Sequence, residues 1–510
     1  MKRRTATFAA ALTLCGCMVG PDYQRPPPAS DPSPPYKEAT GAEVYGVEFR
    51  PALPRDTIDR GPWWNAYGDP VLDQLAAQVD VSNQTLKENE AAYRQAVALI
   101  RQSQSPLYPS LTYSGGAAQT SSAGGVRSTS GTVGNSVGSF TVGTALSWEI
   151  DVWGNIRRTI ESDSAAAQAS FADIAAARLS AQSSLVSAYF SLRIADEAIQ
   201  LYKASVAAYE KSLQIVRNQQ ISGTASGLDV AQAETILEQA RALYTAEFAT
   251  RAQLEHSIAA LVGKMPAEVT IKPAPTPRNV PTLDAGVPST LLERRPDIAA
   301  AERTMASANA QIGVAVGAYY PQFTFDPSIT FLSTMLSALL QIGSAVWSIG
   351  PQLAGTAFDA GGRAAQVEGA RANYDKAVAT YRQTVITAFQ QVEDALAQQH
   401  YFEIQEQIQR RAATSAREAE RLSLNQYEAG TVAYTTVIQA QTTALSAEQT
   451  LLTIRQNRFT TSATLITALG GGWNDKMLPP PVFIPGIDQT PQPAVPATPA
   501  PPKKKWWWPF

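Results

Sequence analysis

The stretch FTVGTALSWEIDVWGNIRR, residues 140–158, joins two kinds of sequence pattern at one point. Up to Ile150, apolar residues alternate with small or polar residues, which is the period of a β-strand with one apolar and one polar face. Residues 155–222 then contain neither glycine nor proline and are rich in alanine, glutamine, serine and arginine. At 1.5 Å per residue, a helix of that length reaches about 100 Å. The stretch therefore predicts an amphipathic strand that leads into a very long helix.

The same order of features occurs twice along the chain. YPSLTYS at 108–114 matches YPQFTFD at 320–326, and SGTASGLDVAQAE at 222–234 matches AGTVAYTTVIQAQ at 429–441. Landmarks in the same order at a nearly constant offset indicate a tandem duplication of a unit of about 210 residues. We expect this division of the chain: a signal peptide at 1–16, an extended segment at 17–70 that packs on the long helices, repeat 1 at 71–270, a linker at 271–290, repeat 2 at 291–472, and a Pro-rich tail at 473–510.

Each repeat is predicted to contain a helix, two strands and a long helical hairpin. The helical segments are 71–105, 155–222 and 228–262 in the first repeat, and 297–312, 363–429 and 431–469 in the second. Apolar residues such as Leu185, Tyr189 and Leu192 follow steps of four, three and seven, which predicts a coiled-coil seam. The hairpins should turn at Gly223 and Gly430, and Asp151 and Asp359 should cap the two strand-to-helix junctions.

The number of strands limits how many chains the assembly can contain. Four strands per chain cannot close on themselves, and an open edge is not tolerated in lipid. Two chains would give a nearly filled barrel, whereas three would give a twelve-stranded channel. We favour the trimer: a mixed α/β membrane protein with a twelve-stranded β-barrel and long α-helical coiled coils. Thr141, Ser147, Thr324 and Ser348 should then face water. The residues predicted to face lipid are Phe140, Val142, Leu146, Trp148, Phe323, Phe325 and Trp347. The alternative is a half-buried strand in a soluble sandwich.

The N-terminus reads as an export signal with a site for lipid attachment. Basic residues at 2–4 precede an apolar run at 7–14, which is the layout of a secretory signal peptide. LCGC at 14–17 resembles the bacterial lipobox, in which cleavage leaves the last cysteine, here Cys17, as an acylated first residue. Covalent lipid on Cys17 is the one modification we expect. More than one acyl chain is needed for stable anchoring.

Composition argues against several other functions. Removal of Lys2, Arg3 and Arg4 with the signal peptide lowers the formal net charge from −3 to −6, which does not suit nucleic-acid binding. The mature chain would hold one cysteine and two histidines, so we expect no metal site and no other cofactor. No nucleophile elbow, phosphate loop or zinc-binding helix motif is found, so we do not expect an enzyme.

Five motifs resemble a known family, the outer-membrane efflux lipoproteins of the TolC/OprM superfamily, and specifically the NodT-like factors of resistance-nodulation-division (RND) pumps. They are CMVGPDYQRP at 17–26, WWNAYGDPVLDQL at 63–75, LSWEIDVWGNIRR at 146–158, GTASGLDVAQAE at 223–234 and LLERRPDIAAAE at 291–302. The resemblance implies a homotrimer whose twelve-stranded β-barrel crosses the Gram-negative outer membrane and continues into a long periplasmic α-helical coiled-coil barrel, which forms a tunnel. It also implies two partners, a periplasmic adaptor protein and an inner-membrane RND transporter that supplies the energy.

The resemblance also implies a periplasmic gate at the hairpin turns. The turns that would contact the adaptor are Gly223, Thr224, Ala225, Gly430, Thr431 and Val432. Relatives often place acidic or bulky apolar residues after the second turn, but here the gate positions are Thr435, Thr436 and Gln439, with Asp229 after the first turn. We therefore expect a gate that is held by hydrogen bonds and packing more than by an anionic ring.

The leading function is a passive exit duct for drugs or other small molecules. Type I protein secretion or metal-ion efflux would use the same fold, and a structural coiled-coil lipoprotein that bridges the periplasm is the reading from another class. Residues 479–502 form a Pro/Ala tract, and the KKKWWWPF ending, 503–510, receives no function.

Overall fold

The computed structural model describes residues 18–27, 62–122, 135–277, 280–281, 294–473 and 475–480. The predicted signal peptide, Cys17 and the KKKWWWPF ending lie outside the described residues. Most of the predicted linker at 271–290 and of the segment at 17–70 lies outside them as well.

Within the described part of the chain, long helices dominate and the strands form one sheet. The helices are α1 Pro70–Ser82, α2 Gln84–Gln104, α3 Asn155–Ile221, α4 Gly227–Leu261, α5 Pro296–Gly317, α6 Gly362–Glu428 and α7 Tyr434–Ala468. The strands are β1 Ser110–Ser122, β2 Asn135–Ile150, β3 Gln322–Phe325, β4 Ser328–Ser333, β5 Ala345–Ser348 and β6 Pro351–Ala354.

The two long hairpins have the same dimensions. Helices α3 and α6 each contain 67 residues, and α4 and α7 each contain 35. The first residues of α3 and α6 are as far apart in sequence as the first residues of α4 and α7. The same distance separates the turn motifs at 222–234 and 429–441. The helices predicted from the absence of glycine and proline are confirmed to within about three residues at the ends of both hairpins.

The first helical segment differs from its prediction, because 71–105 is two helices and not one. Asn83 lies between them with extended backbone (φ −61°, ψ 125°). Its side chain accepts a hydrogen bond from Leu86 N at 3.0 Å and donates one to Leu261 O at 2.7 Å. An asparagine side chain that caps a new helix competes with continuation of the old one. The break therefore fastens the start of α2 to the end of α4.

The sheet is an antiparallel series of four ribbons. β1 pairs with β2, β2 pairs with both β3 and β4, and β6 and β5 pair with β3 and β4 respectively. β3 and β4 form one ribbon with an unbroken register against β2, and Leu146 N donates to Pro327 O at 2.9 Å across the interruption. The prediction of two strands per repeat is confirmed, with each ribbon of the second repeat divided in two.

The sequence predicts hairpin loops at the Gly/Ser-rich stretch 114–139 and at the apolar segment 332–343; the second is confirmed to within two residues, but the first is too long. β1 continues to Ser122 and β2 begins at Asn135, so much of the Gly/Ser-rich stretch is paired strand. In the second hairpin, β4 ends at Ser333 and two short 3₁₀ turns precede β5. Small residues are poor at packing, but their backbone groups pair as well as any others, and composition therefore misplaced the bounds of the first loop.

An aromatic core joins the N-terminal elements to the long helices. Tyr67 lies 4.7 Å from Phe190 between ring centroids, and Phe190 stacks on Phe459 at 4.4 Å. Phe190 is fully buried, and it links the short helix at 63–67, α3 and α7. Further members of this core are Trp63, Trp64, Leu72, Val79, Leu185, Val186, Tyr189, Leu192, Ile258 and Val262.

The aromatic core predicts a large cost for truncation at its centre. Phe190→Ala should destabilise the protein by about 3–5 kcal/mol, because it removes a fully buried ring and leaves a cavity. The control Phe248→Ala removes a ring that is 46% exposed on α4 and should cost much less. Thermal melting of both variants in detergent measures the difference, and equal melting temperatures would show that this core does not hold the helices together.

Candidate channel and tunnel surfaces

The sheet separates apolar from polar side chains. Trp148 pairs with Phe325, Ile150 with Phe323, and Ile329 with Trp347, and directly paired residues of antiparallel strands share a face. The seven residues predicted to face lipid all lie on this face by register: Phe140, Val142, Leu146, Trp148, Phe323, Phe325 and Trp347. In the single chain, Trp347 is 69% exposed, so the face has no protein cover there. Contact between this apolar face and lipid stays a prediction.

The opposite face carries a hydrogen-bonded polar network. Ser147 Oγ donates to Asp326 Oδ1 at 2.6 Å, and Thr324 Oγ1 donates to Asp326 Oδ2 at 2.7 Å. Further along, the hydroxyls of Ser328 and Ser348 lie 3.0 Å apart. A face whose side chains bond one another and remain exposed suits a water-filled lumen.

At both outer edges of the sheet, backbone groups lack a partner strand among the described residues. β1 pairs with β2 alone, and β5 and β6 pair only with β4 and β3. Unpaired strand edges offer a row of N–H and C=O groups to another strand. The single chain is therefore an incomplete sheet.

The strand-to-helix junctions are capped by the two predicted aspartates. Asp151 accepts hydrogen bonds from Ile156 N and Arg157 N at 3.2 and 3.1 Å. Asp359 accepts from Arg363 N at 3.0 Å. Each carboxylate also pairs with the side chain of that same arginine, Arg157 or Arg363. Negative charge at these helix starts is favourable because it neutralises free N–H groups.

The two turns have the same local structure. Gly223 (φ +80°) and Gly430 (φ +72°) end α3 and α6 in the left-handed region, where glycine is favoured. The next residues, Thr224 and Thr431, donate both backbone N–H and side-chain hydroxyl to Gln219 O and Gln426 O. Ala225 and Val432 are partly buried behind them. The predicted turns are therefore exposed and stiffened in the same way.

The four predicted gate residues are in different situations. Asp229 Oδ2 accepts from both N and Oγ of Ser226 at 2.8 Å, and Asp229 N donates back to Ser226 Oγ at 3.3 Å, which forms a capping box for α4. Thr435, Thr436 and Gln439 are exposed on α7, and Ala433, which precedes that helix, offers no side-chain cap. The first tip is therefore better secured than the second.

Sequence reasoning missed two tyrosines near the second tip. Tyr427 and Tyr434 are buried with ring centroids 5.0 Å apart, and the Tyr434 hydroxyl lies 3.2 Å from Ser212 Oγ on the first hairpin. Burial raises the pKa of Tyr427, and the Asp229 carboxylate raises it further. Burial and the same carboxylate also raise the pKa of Tyr434. The signal was their position, three residues before and four after Gly430.

An ion-pair cluster clamps the hairpins further up the tunnel. Arg458 Nη1 donates to Glu406 Oε2 at 2.5 Å, and Arg455 Nη1 donates to Glu197 Oε2 at 2.5 Å. These contacts join α6 and α3 to α7. Burial works to raise the pKa of Glu406, but hydrogen bonds from Arg458 and Arg410 outweigh it and hold that pKa below its usual value. The buried carboxylate therefore stays charged and paired.

No helix in the described ranges is both long and apolar enough to cross a membrane. An incomplete amphipathic sheet on two long helical hairpins is the architecture of an outer-membrane channel protein, and the comparisons with known proteins agree. The family model described as outer membrane efflux protein matches residues 75–264 and 287–471. The chain belongs to this family.

Individual relatives cover almost the whole chain. It is similar to the toluene efflux pump outer membrane protein TtgF of Pseudomonas putida, at 32% identity over 93% of this chain and 98% of the relative. The cation efflux system protein CusC of Escherichia coli is 28% identical to this chain, and the match covers 91% of this chain and 98% of the length of CusC. The solved structure of the outer-membrane channel OprN matches this chain with a TM-score of 0.79 at 28% sequence identity. The match covers 90% of this chain and 100% of the OprN chain. The protein is thus an efflux channel component of the outer membrane.

The Glu406 cluster predicts an acid-sensitive contribution to stability. A carboxyl with a depressed folded-state pKa stabilises above its unfolded value of 4.5, and that stability is lost as pH falls through the folded pKa. The difference in melting temperature between wild type and Glu406→Gln should therefore be largest near pH 7 and shrink below about pH 4.5. Glu418→Gln, whose exposed carboxylate pairs with Arg421, is the control and should show little difference at any pH. A pH-independent gap for Glu406→Gln would contradict this role.

The tip geometry predicts weak block by multivalent cations. Asp229 is engaged in a cap, and Thr435, Thr436 and Gln439 after the second turn are neutral, so none of the four predicted gate positions offers a free carboxylate to a cation. Single-channel conductance in planar bilayers, recorded with and without multivalent cations on the tunnel side, should change little. Strong block that Asp229→Asn abolishes would show that this carboxylate lines the pore instead.

Proposed function

We propose that three copies of this chain form the passive exit duct of a tripartite efflux pump. The observation that carries the proposal is the sheet, whose two edges lack partner strands among the described residues while one face is apolar and the other polar. Three such sheets would supply twelve strands, enough to enclose a water-filled lumen. The long hairpins would then continue the lumen through the periplasm by about 100 Å.

The partners follow from this arrangement. A periplasmic adaptor would contact the two exposed turns around Gly223 and Gly430, and an inner-membrane transporter of the RND class would supply the energy. We propose no catalysis in this chain, because conduction through a preformed lumen needs none. Lipid on Cys17 would add a second attachment to the outer membrane besides the strands.

For the cargo, we propose small apolar or amphipathic molecules such as solvents and antibiotics. A relative at 32% identity is named for toluene efflux, and others at 30% are named for antibiotic and solvent efflux. Metal ions are the second candidate, and the observation that favours them is the 28% identity to a cation efflux protein. The polar face of the sheet, with its hydroxyls and few charges, discriminates little between these classes.

The decisive experiment is deletion of this gene in its host followed by susceptibility profiling with solvents, antibiotics, dyes and metal salts. We expect a several-fold fall in the inhibitory concentration of apolar compounds, with restoration by the wild-type gene. A fall confined to the metal salts would favour the second candidate. Unchanged susceptibility to every class would contradict an efflux role.

Lipid attachment is tested separately by the mass of the mature N-terminal peptide. Acylated Cys17 should add the mass of the lipid chains to a peptide that begins at residue 17. Cys17→Ser should abolish processing at this site, and an unmodified N-terminus in the wild type would contradict the lipid proposal.

A further inference from the structure

Residues 18–27 lie in a groove between the helices, far in sequence from everything they touch. Val19 N donates to Trp153 O at 3.1 Å, at the junction of β2 and α3. Pro21 O accepts from Asn309 Nδ2 of α5 at 3.0 Å, and Tyr23 OH donates to Glu302 Oε1 at 2.8 Å. The segment therefore runs along α5 from the strand-to-helix junction toward the start of that helix.

The floor of the groove is the side chain of Arg158, which is only 1% exposed. Its Nε donates to Val19 O at 3.2 Å, and its Nη2 donates to Gly20 O at 3.2 Å and to Asp22 Oδ1 at 2.8 Å. The remaining contact is to Glu161 of its own helix at 2.8 Å. A guanidinium has five donors and cannot lose its charge, so burial at this depth requires acceptors. Three of the four acceptors come from the N-terminal segment.

The fit is also steric. Gly20 (φ +99°) lies so close to α5 that a Cβ on it would be 2.4 Å from Gly313 Cα. A Cβ on Gly154 would be 2.6 Å from Met18 Cγ. The contact with Gly313 is to backbone and leaves no room for a side chain at residue 20. The contact at Gly154 is to the side chain of Met18, whose Cα would lie 3.0 Å from the same Cβ, so a side chain at Gly154 would push Met18 away.

The duplicated half of the chain provides an internal comparison. When α6 is aligned with α3 from their first residues, Ala365 of α6 occupies the position of Arg158 in α3. Gly154 and Gly361 precede these helices and both adopt left-handed backbone (φ +78° and +90°), but a Cβ on Gly361 would meet nothing within 4 Å. The tunnel helix thus folds without the arginine, and the groove belongs to one repeat only.

We propose that this groove is a docking site for the segment directly after Cys17, and that Arg158 is the positioning residue that holds the lipid anchor at the strand-to-helix junction. The role of the anchor rests on the proposed acylation of Cys17. Met18, the first described residue of the segment, lies against Gly154, so the docked segment begins at the strand-to-helix junction.

The surroundings of the docked end suit a membrane boundary. Trp153 stacks on Tyr320 at 4.7 Å, and its Nε1 donates to Pro321 O at 2.8 Å. Tryptophan and tyrosine are enriched at membrane–water interfaces. These rings lie just beyond Ile150, the end of β2, so the acyl chains would enter the bilayer beside the strands that cross it.

The test uses a matched pair of glycine variants in the full-length, membrane-extracted protein. Gly154→Ala strains the backbone and strikes Met18, whereas Gly361→Ala strains the same backbone conformation in open space. Hydrogen exchange of the peptide that contains Val19 should be at least tenfold faster in Gly154→Ala than in wild type. It should be unchanged in Gly361→Ala. Equal exchange in Gly154→Ala and wild type would overturn the docking proposal.

A second variant and readout separate docking from general loss of structure. Gly20→Ala leaves the helices untouched and should release the segment to the same extent, with the exchange of α3 and α5 unchanged. A photoreactive residue in place of Met18 should cross-link to the α3 start in the wild-type background and lose that cross-link when Gly20→Ala is added. A cross-link that persists would contradict the role of the groove.

Acylation is followed in the same samples by the mass of the N-terminal peptide. An acylated N-terminus whose segment is unprotected in the wild type would sink the docking proposal alone. A protected segment without lipid would sink the acylation of Cys17 and leave the docking intact.

Discussion

The constraint on which the rest of this structure depends is the pairing of backbone groups at the edges of the sheet. Hydrocarbon offers no hydrogen bonds, so a strand edge in a bilayer must be closed by another strand. Within the described residues the chain brings four ribbons, and β1 on one side and β5 and β6 on the other are left open. Neighbouring copies are the available source of the missing partners, and the tunnel below inherits the same symmetry.

The duplication explains how one chain covers so much of a closed tunnel. Two hairpins of equal length, each formed by a 67-residue and a 35-residue helix, lie side by side and are joined by aromatic packing and by ion pairs across α3, α6 and α7. The repeats differ where their roles differ. The first hairpin has a capping box at its tip and a buried arginine at its junction, and the second has paired tyrosines and neither of those features.

Much of this architecture could be predicted from the sequence because its signals are periodic. The period of two around Trp148 predicted the strands, and the long proline-free runs after Asn155 and Gly362, of which the second contains one glycine, Gly369, predicted the helices. The αL turns at Gly223 and Gly430 had a clear residue signal. Local chemistry set the limits of prediction. Asn83 ends one helix by capping the next, and the small residues up to Ser122 pair as a strand. Neither feature could be predicted, because neither is visible in the composition. In the sequence, Arg158 looks like any other arginine of a helix. Its role could not be predicted, because the residues that accept its hydrogen bonds lie 136 to 139 positions earlier in the chain.

The measurement that tests the central claim most directly is the mass of the protein in a native detergent or lipid-nanodisc particle, determined with its conductance in planar bilayers. The account predicts three copies of a chain of about 54.6 kDa before processing, in particles that carry ions. A particle that contains a single copy, or an assembly of three that conducts nothing, would contradict the claim that identical chains complete one another's sheet.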